Sequence, residues 1–351
     1  AWIAMPLLIV AAIAGTANAQ TAAEKIQSAF EKSKSVDSLA GYDQLLELCD
    51  EIRGMQLTSA QSDYVRKLSA WGQDRRGELR AARAAELARS GDAEGAAKLD
   101  AAALADFEAA VKNDPTRWKA AHNRGVSYAV AGRYDEAIAD FSSVIQLNPS
   151  HANAWFNRAE IRYELGQYKE ALADYNRTVE LNPKDAGAYT SRGHAHFALR
   201  QFEAGLRDYD QAVRMNRSAE TLVDRADAYR SLARWQEAAN DYRAAIELAA
   251  NDARTLQSAA WFMATCPDSR FRNEDLALRA AQRAVELTMI DDWRNLDTLA
   301  AAQANAGQWD EAISNVEKAL AAAPNEDHET LDARLKLYQA KQAYRQGMKL
   351  R

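Results

Sequence analysis

Through the middle of the chain, small and apolar residues return in two alternating helical patterns. Ala121–Tyr128, Ala154–Ile161 and Ala188–Ala195 each open one segment, and each is followed by a second apolar segment closing on Asn148-Pro149, Asn182-Pro183 or Asn216-Arg217. Pro149 and Pro183 stand 34 residues apart, as do Ala159 and Gly193. A helix patterned this way has one apolar stripe, and an isolated helix pair leaves part of it in water. Stacking one pair on the next covers it, so the pattern predicts an all-α array of antiparallel helix pairs with the core spread along its length. Proline closes a pair because the next helical turn would need an N–H it lacks.

At this period the chain resembles the tetratricopeptide repeat. That family wants a large apolar residue at position 4, small at 8, aromatic at 11, Ala at 20, aromatic at 24, small at 27 and Pro at 32 of each unit. Residues 118–151 carry Gly125, Tyr128, Ala137, Phe141 and Pro149 in those places; residues 152–185 carry Trp155, Ala159, Ala171, Tyr175 and Pro183, with Arg162 where the aromatic belongs. Residues 186–218 carry Tyr189, Gly193 and Tyr209, with Gly205 for Ala and Arg217 for Pro. Residues 219–252 carry Leu222, Ala226, Tyr229, Ala238, Tyr242 and Ala245; residues 291–325 carry Leu296, Ala300, Ala312, Ala319 and Pro324. Two units are stretched. In 253–290 the first helix runs into the breaker Thr265-Cys-Pro-Asp-Ser269, and in 58–117 an Ala-, Arg- and Glu-rich extension broken at Ser90-Gly91-Asp92 separates the boxes Asp74–Glu78 and Asp106–Ala110. Helices in 20–57, chiefly about 37–53, and in 326–351, about 327–346, are expected to cap the open ends, since a terminal repeat otherwise exposes its apolar face. The resemblance implies a right-handed superhelical solenoid.

The first 19 residues read differently. Pro6–Ala14 is a short apolar run and Ala17-Asn18-Ala19 a small-residue cleavage site, the marks of a secretory signal peptide. No initiator Met or basic n-region precedes them, so the sequence is expected to begin inside the signal. The run falls short of the roughly 20 residues a membrane span needs, so no stable membrane insertion is expected after cleavage. The stretch Trp261-Phe-Met-Ala-Thr-Cys-Pro-Asp-Ser-Arg-Phe271 also resembles a variant found in exported bacterial repeat proteins. An exported protein, periplasmic or secreted, is the expectation.

Composition narrows the chemistry. Hydrophobic residues make up 48% against 6 Pro and 15 Gly, which favours helix. The net charge of −6 supplies no basic field for counterion release, so nucleic acid is not an expected partner. Cys49 and Cys266 lie several helix layers apart, beyond the reach of a disulfide. Of the histidines His122, His151, His194, His196 and His328, the pair His194 and His196 points to different helix faces and cannot share a metal. The sequence has no phosphate loop, nucleophile elbow or paired-Cys motif, so neither metal, cofactor nor catalytic residue is assigned.

Two sets of residues stand out. Position 7 is Arg in Arg76, Arg124, Arg158, Arg192 and Arg225, and the same units have Asp at position 23 in Asp106, Asp140, Asp174, Asp208 and Asp241. The other two units lose both, with Ala259 against Ala280 and Leu299 against Asn315. Joint presence and joint loss predict a ladder of hydrogen-bonded ion pairs, because an unpaired charge at a helix interface is costly. The resemblance further implies a peptide groove lined by helix-A positions: Lys119 and His122, then Asn153, Phe156, Glu160 and Tyr163, then Thr190, His194 and Phe197, then Asp227 and Arg230. Carboxylate-clamp members use Lys and Asn where this chain has His122 and Val126, so a chaperone-tail clamp is not expected. The function expected is a non-catalytic scaffold holding a protein or extended peptide, with self-association left open. A cell-wall or carbohydrate-associated enzyme and an inert spacer are the alternatives.

Overall fold

The computed structural model describes residues 17–288 and 292–347, so the apolar run Pro6–Ala14 lies outside it. The described residues form 17 α-helices and one short 3-10 helix, with no strand. They divide into two compact units, residues 1–183 and 184–351.

The first unit contains α1 (Ala17–Ser35), α2 (Leu39–Arg53), α3 (Ser59–Ser90), α4 (Ala93–Asn113), α5 (Trp118–Val130), α6 (Tyr134–Leu147), α7 (Ala152–Glu164) and α8 (Tyr168–Leu181). One core joins α1, α2 and the start of α3 through Ile26, Leu45, Ile52, Val65 and Leu68. Thr58 opens α3 with a capping box, its hydroxyl accepting from the Gln61 N–H while Gln61 Oε1 accepts from the Thr58 N–H. After 32 helical residues α3 stops at Gly91, whose φ of +89° only glycine takes without strain. Asp92 then accepts from the Gly95 N–H and starts α4. The break expected at Ser90-Gly91-Asp92 is therefore a helical hairpin tip. Beyond it, Phe141, Val144 and Ile145 of α6 pack with Tyr128 of α5 and Ala154 and Ile161 of α7.

The second unit contains α9 (Ala186–Ala198), α10 (Phe202–Met215), α11 (Ala219–Ser231), α12 (Trp235–Leu248), α13 (Ala253–Thr265), a 3-10 turn (Ser269–Phe271), α14 (Glu274–Thr288), α15 (Trp293–Asn305), α16 (Trp309–Ala322) and α17 (Asn325–Gln339). Here the expected C-terminal helix differs from the structure. It ends at Gln339 rather than near residue 346, because Lys341 turns to a φ of +55° and Gln342 N–H closes back on Leu337 O at 2.8 Å. The chain then doubles back: Gln346 N–H reaches Thr265 O at 2.9 Å, Arg345 Nη1 reaches Ala264 O at 3.0 Å, and Tyr344 packs on Trp261. A continued helix would carry these groups away from α13.

Short connections join helix A to helix B inside most units. Residues 131–133, 165–167, 199–201, 232–234 and 306–308 make turns of the same length. Their left-handed position is Gly132, Gly166 or Gly307, but Arg200 and Ala233 occupy it at φ of +59° and +56°.

Candidate groove and ion-pair ladder

The ladder residues come together rung by rung. Arg124 donates from Nε and Nη2 to the two carboxylate oxygens of Asp140 at 2.8 and 2.7 Å. Arg158 meets Asp174 the same way at 2.8 Å twice, Arg192 meets Asp208 at 2.8 and 2.6 Å, and Arg225 meets Asp241 at 2.7 and 2.9 Å. Across the longer unit Arg76 Nη2 lies 2.6 Å from Asp106 Oδ1. These aspartates are nearly sealed from water, with 3 to 10% of the side chain exposed. A carboxylate at that depth keeps its charge only with partners, and two parallel bonds from a planar guanidinium supply them. The hydrogen bond to Asp140 and the one to Asp208 in turn push Arg124 and Arg192 above the usual guanidinium range.

Position 11 completes each rung, which sequence reasoning missed. Arg162 Nη1 lies 2.6 Å from Asp174 Oδ2, and Arg80 Nη1, at the same place in its unit, lies 2.7 Å from Asp106 Oδ2. In the other units Tyr128 and Tyr229 lie under the guanidinium groups of Arg124 and Arg225 at 5.6 and 5.8 Å. Where Arg162 and His196 replace that tyrosine, Trp155 and Tyr189 at position 4 cover the ladder arginine instead, at 5.1 and 5.3 Å. The alternation of position 4 with position 11 was present in the sequence as a signal.

The residues expected along the groove divide by their surroundings. Lys119 and Asn153 are exposed, and Thr190 is half-buried. His122 is packed edge-on against Phe141 and His151, and burial, with His151 adding to it, lowers its pKa to about 4. Phe156, Tyr163 and Phe197 are half-buried, each with its ring edge against an aromatic of the following helix B: Tyr175, Tyr168 and Phe202. Phe197 also accounts for Gly205, since a Cβ there would stand 2.4 Å from Phe197 Cδ2. His194 packs on Tyr209 with Nε2 3.9 Å from Asp224.

Glu160 and Asp227 are tied to the core by a relationship of fixed spacing. Tyr175 Oη donates to Glu160, and Tyr242 Oη donates to Asp227 Oδ1 at 2.7 Å, each tyrosine 15 residues after its carboxylate. Where position 9 is Val126, position 24 is Phe141, which has no hydroxyl to satisfy. Arg230 adds a bond to Asp227 at 3.0 Å and one to Gln346 of the returning C-terminal segment at 3.3 Å.

Helix-A residues also frame two open clefts, one in each unit. The first, about 470 Å³, is lined by Trp71, Arg75, Glu78, Arg117, Trp118 and Lys119. The second, about 330 Å³, is lined by Asp227, Arg230, Trp261, Arg294, Asp297 and Arg334. Arg334 enters it from α17 in a further two-bond pair, 2.8 and 2.7 Å from the Asp297 oxygens. Among the described residues no three His, Cys, Asp or Glu side chains converge as a metal site, and no helix is long and apolar enough to cross a membrane.

A tetratricopeptide-repeat family model matches residues 101–149, 122–186 and 190–263, on the helix pairs just described. The chain belongs to the tetratricopeptide-repeat family. Proteins of this family are in general scaffolds that bind protein partners. No curated protein matches the chain. Among solved structures it is similar to a tetratricopeptide repeat protein from Parabacteroides merdae, at 18% identity over 75% of this chain and 98% of that one, with a TM-score of 0.53. It is also similar to yeast Tom70, at 15% identity over 91% of this chain and 64% of that one, with a TM-score of 0.50. MamA from Desulfovibrio magneticus matches at 22% identity over 49% of this chain and 94% of that one, with a TM-score of 0.43. At these identities the likeness concerns the fold.

Proposed function

We propose that this repeat protein is a non-catalytic scaffold that holds an extended peptide, or an extended segment of a protein partner, against its helix-A faces, and that it works outside the cytoplasm. One observation carries the reading: the chain's own non-helical residues 342–346 already lie along α13 of the second unit, with a backbone bond to Thr265, ring packing on Trp261 and a side-chain bond to Arg230. A surface that takes one peptide segment by backbone bond, ring and guanidinium has the means to take another. The helix-A clefts, one within each unit, alternate tryptophan with charged groups, which suits a peptide with apolar anchors and charged neighbours. Lys119, Asp227 and Arg230, assigned to the groove from position alone, line these clefts. The exported setting rests on the apolar run and small-residue site at the start of the sequence.

Panning a random peptide library on the whole chain tests this, with the selected peptides then titrated against wild type, Trp71→Ala and Trp261→Ala. Peptides whose affinity falls at least tenfold on one of the two variants, about 1.4 kcal/mol or more, support the helix-A face as the site. No enrichment, or peptides indifferent to both substitutions, would overturn it.

A further inference from the structure

Two repeats of the second unit lack the rung, and at the first of them the interface is hollow. Ala259 and Ala280 occupy positions 7 and 23 of their repeat, where the preceding repeat has Arg225 and Asp241, and both alanines line a cavity of about 500 Å³ between α12, α13, the 3-10 turn and α14. Two further departures coincide with it. Position 24, which is Phe141, Tyr175, Tyr209 or Tyr242 in the four preceding repeats, is Ala281 here. The connection between helices A and B runs over residues 266–273 rather than the short turn used elsewhere, and brings Phe271 and Arg272 to the cavity wall. Loss of a guanidinium, a carboxylate and an aromatic ring from one interface removes a volume that the preceding repeats fill.

The chemistry of the walls is divided. Ile246, Leu256, Phe262, Met263, Phe271 and Leu276 form an apolar interior, with Leu276 still 46% exposed at the mouth. Arginines dominate the rest of the lining: Arg243, Arg270, Arg272, Arg279 and Arg283, against the single carboxylate Glu247. Three of them are engaged, Arg270 with Asp268, Arg272 with the Cys266 and Pro267 carbonyls, and Arg283 with Glu286 and Asn251. Arg243 and Arg279 are exposed and make no ion pair among the described residues. In a chain of net charge −6, this is a local positive rim around an apolar hole.

We infer that the cavity binds a single-chain amphiphile with an anionic head, its alkyl chain against Phe262, Met263 and Phe271 and its head at the arginine rim. The volume is that of a small-ligand site, and the positive rim selects an anion over a cation of equal chain length. The hydrophobic part supplies affinity without direction, and the guanidinium groups set which end lies at the mouth. A fatty carboxylate and an alkyl phosphate share this chemistry, so the two sources are separated by experiment.

Isothermal titration of the whole chain with laurate, dodecyl phosphate and dodecyltrimethylammonium, each below its micelle concentration, is the test. We expect saturable binding of at least one anion, and at least tenfold weaker binding of the cation. Two variants report on the two halves of the site. Arg243→Gln with Arg279→Gln leaves the cavity open and should weaken the anion at least fivefold. Ala259→Arg with Ala280→Asp restores the missing rung, fills the cavity and should abolish binding; should that variant fail to fold by circular dichroism, Leu276→Asp at the exposed mouth takes its place with the same expectation. Absence of anion binding, equal affinity for the cation, or an affinity unmoved by either change overturns the inference.

Discussion

Arg158 and Asp174 face each other through two parallel hydrogen bonds of 2.8 Å, and Arg162 and Ser142 complete the set of partners, one on the carboxylate and one on the guanidinium. The carboxylate has only 3% of its side chain in water. Removing Arg158 leaves Arg162 as a partial substitute, whereas removing Asp174 strands two guanidinium groups. Asp174→Ala should therefore destabilise the first unit by about 3 kcal/mol and Arg158→Ala by less. A double-mutant cycle read by urea denaturation should give a coupling of about 1–3 kcal/mol between them. Zero coupling would show that the pair stabilises nothing beyond what each residue does alone.

Phe197 and Gly205 make a second, steric pair. With a Cβ at 205 only 2.4 Å from the ring, Gly205→Ala should cost about 1–3 kcal/mol despite the better helix propensity of alanine. In a Phe197→Ala background most of that cost should vanish, leaving the Gly193 carbonyl oxygen, 3.0 Å from the new Cβ, as the remaining close contact, so Gly205→Ala should then cost about 1 kcal/mol less than in wild type. Thermal melts of the four proteins check the difference.

Ala233 holds a left-handed turn that three other repeats give to glycine, at Gly132, Gly166 and Gly307. The conformation costs a Cβ-bearing residue roughly 1–2 kcal/mol, part of which the extra entropy of an unfolded glycine takes back. Ala233→Gly should raise stability by about 0.5–1 kcal/mol, seen as a higher denaturation midpoint with unchanged slope.

His122 introduces a pH dependence of known sign. Its pKa falls from 6.5 to about 4 on folding, because burial among Phe141 and His151 disfavours the charged ring. The unfolded chain takes up the proton first as pH drops, so the stability tied to neutral His122 is fully present above about 6.5 and is lost progressively toward pH 4. Replacing the ring with a group that cannot titrate, His122→Phe, should flatten this limb in denaturation midpoints taken from pH 7 to 4. His151, lowered by the same burial, should leave a residual slope. An acid limb as steep as in wild type would show that His122 is not its source.

How much of this was legible beforehand depends on the distance between the residues involved. The repeat period, the helix pairs and the partners Arg and Asp at positions 7 and 23 are written in one short unit, where spacing of 16 residues returns four times and any copy explains the others. A helix hairpin places those positions face to face whatever surrounds it, so local pattern suffices. Other features needed three dimensions. Arg162 looks like a defect in the sequence and becomes a second donor only once Asp174 is seen to accept from both sides. Phe156 and Phe197 could be assigned to a helix-A face, but their rings lean into the next helix B, a direction set by packing rather than by position. The end of the chain shows the largest difference, because nothing local to residues 340–346 announces that Arg345 and Gln346 will meet carbonyls some 80 residues earlier in the chain. Periodicity determined what each residue's neighbours within a repeat would be; only the folded chain decided what lies against them from outside it, since those contacts join residues that no period connects.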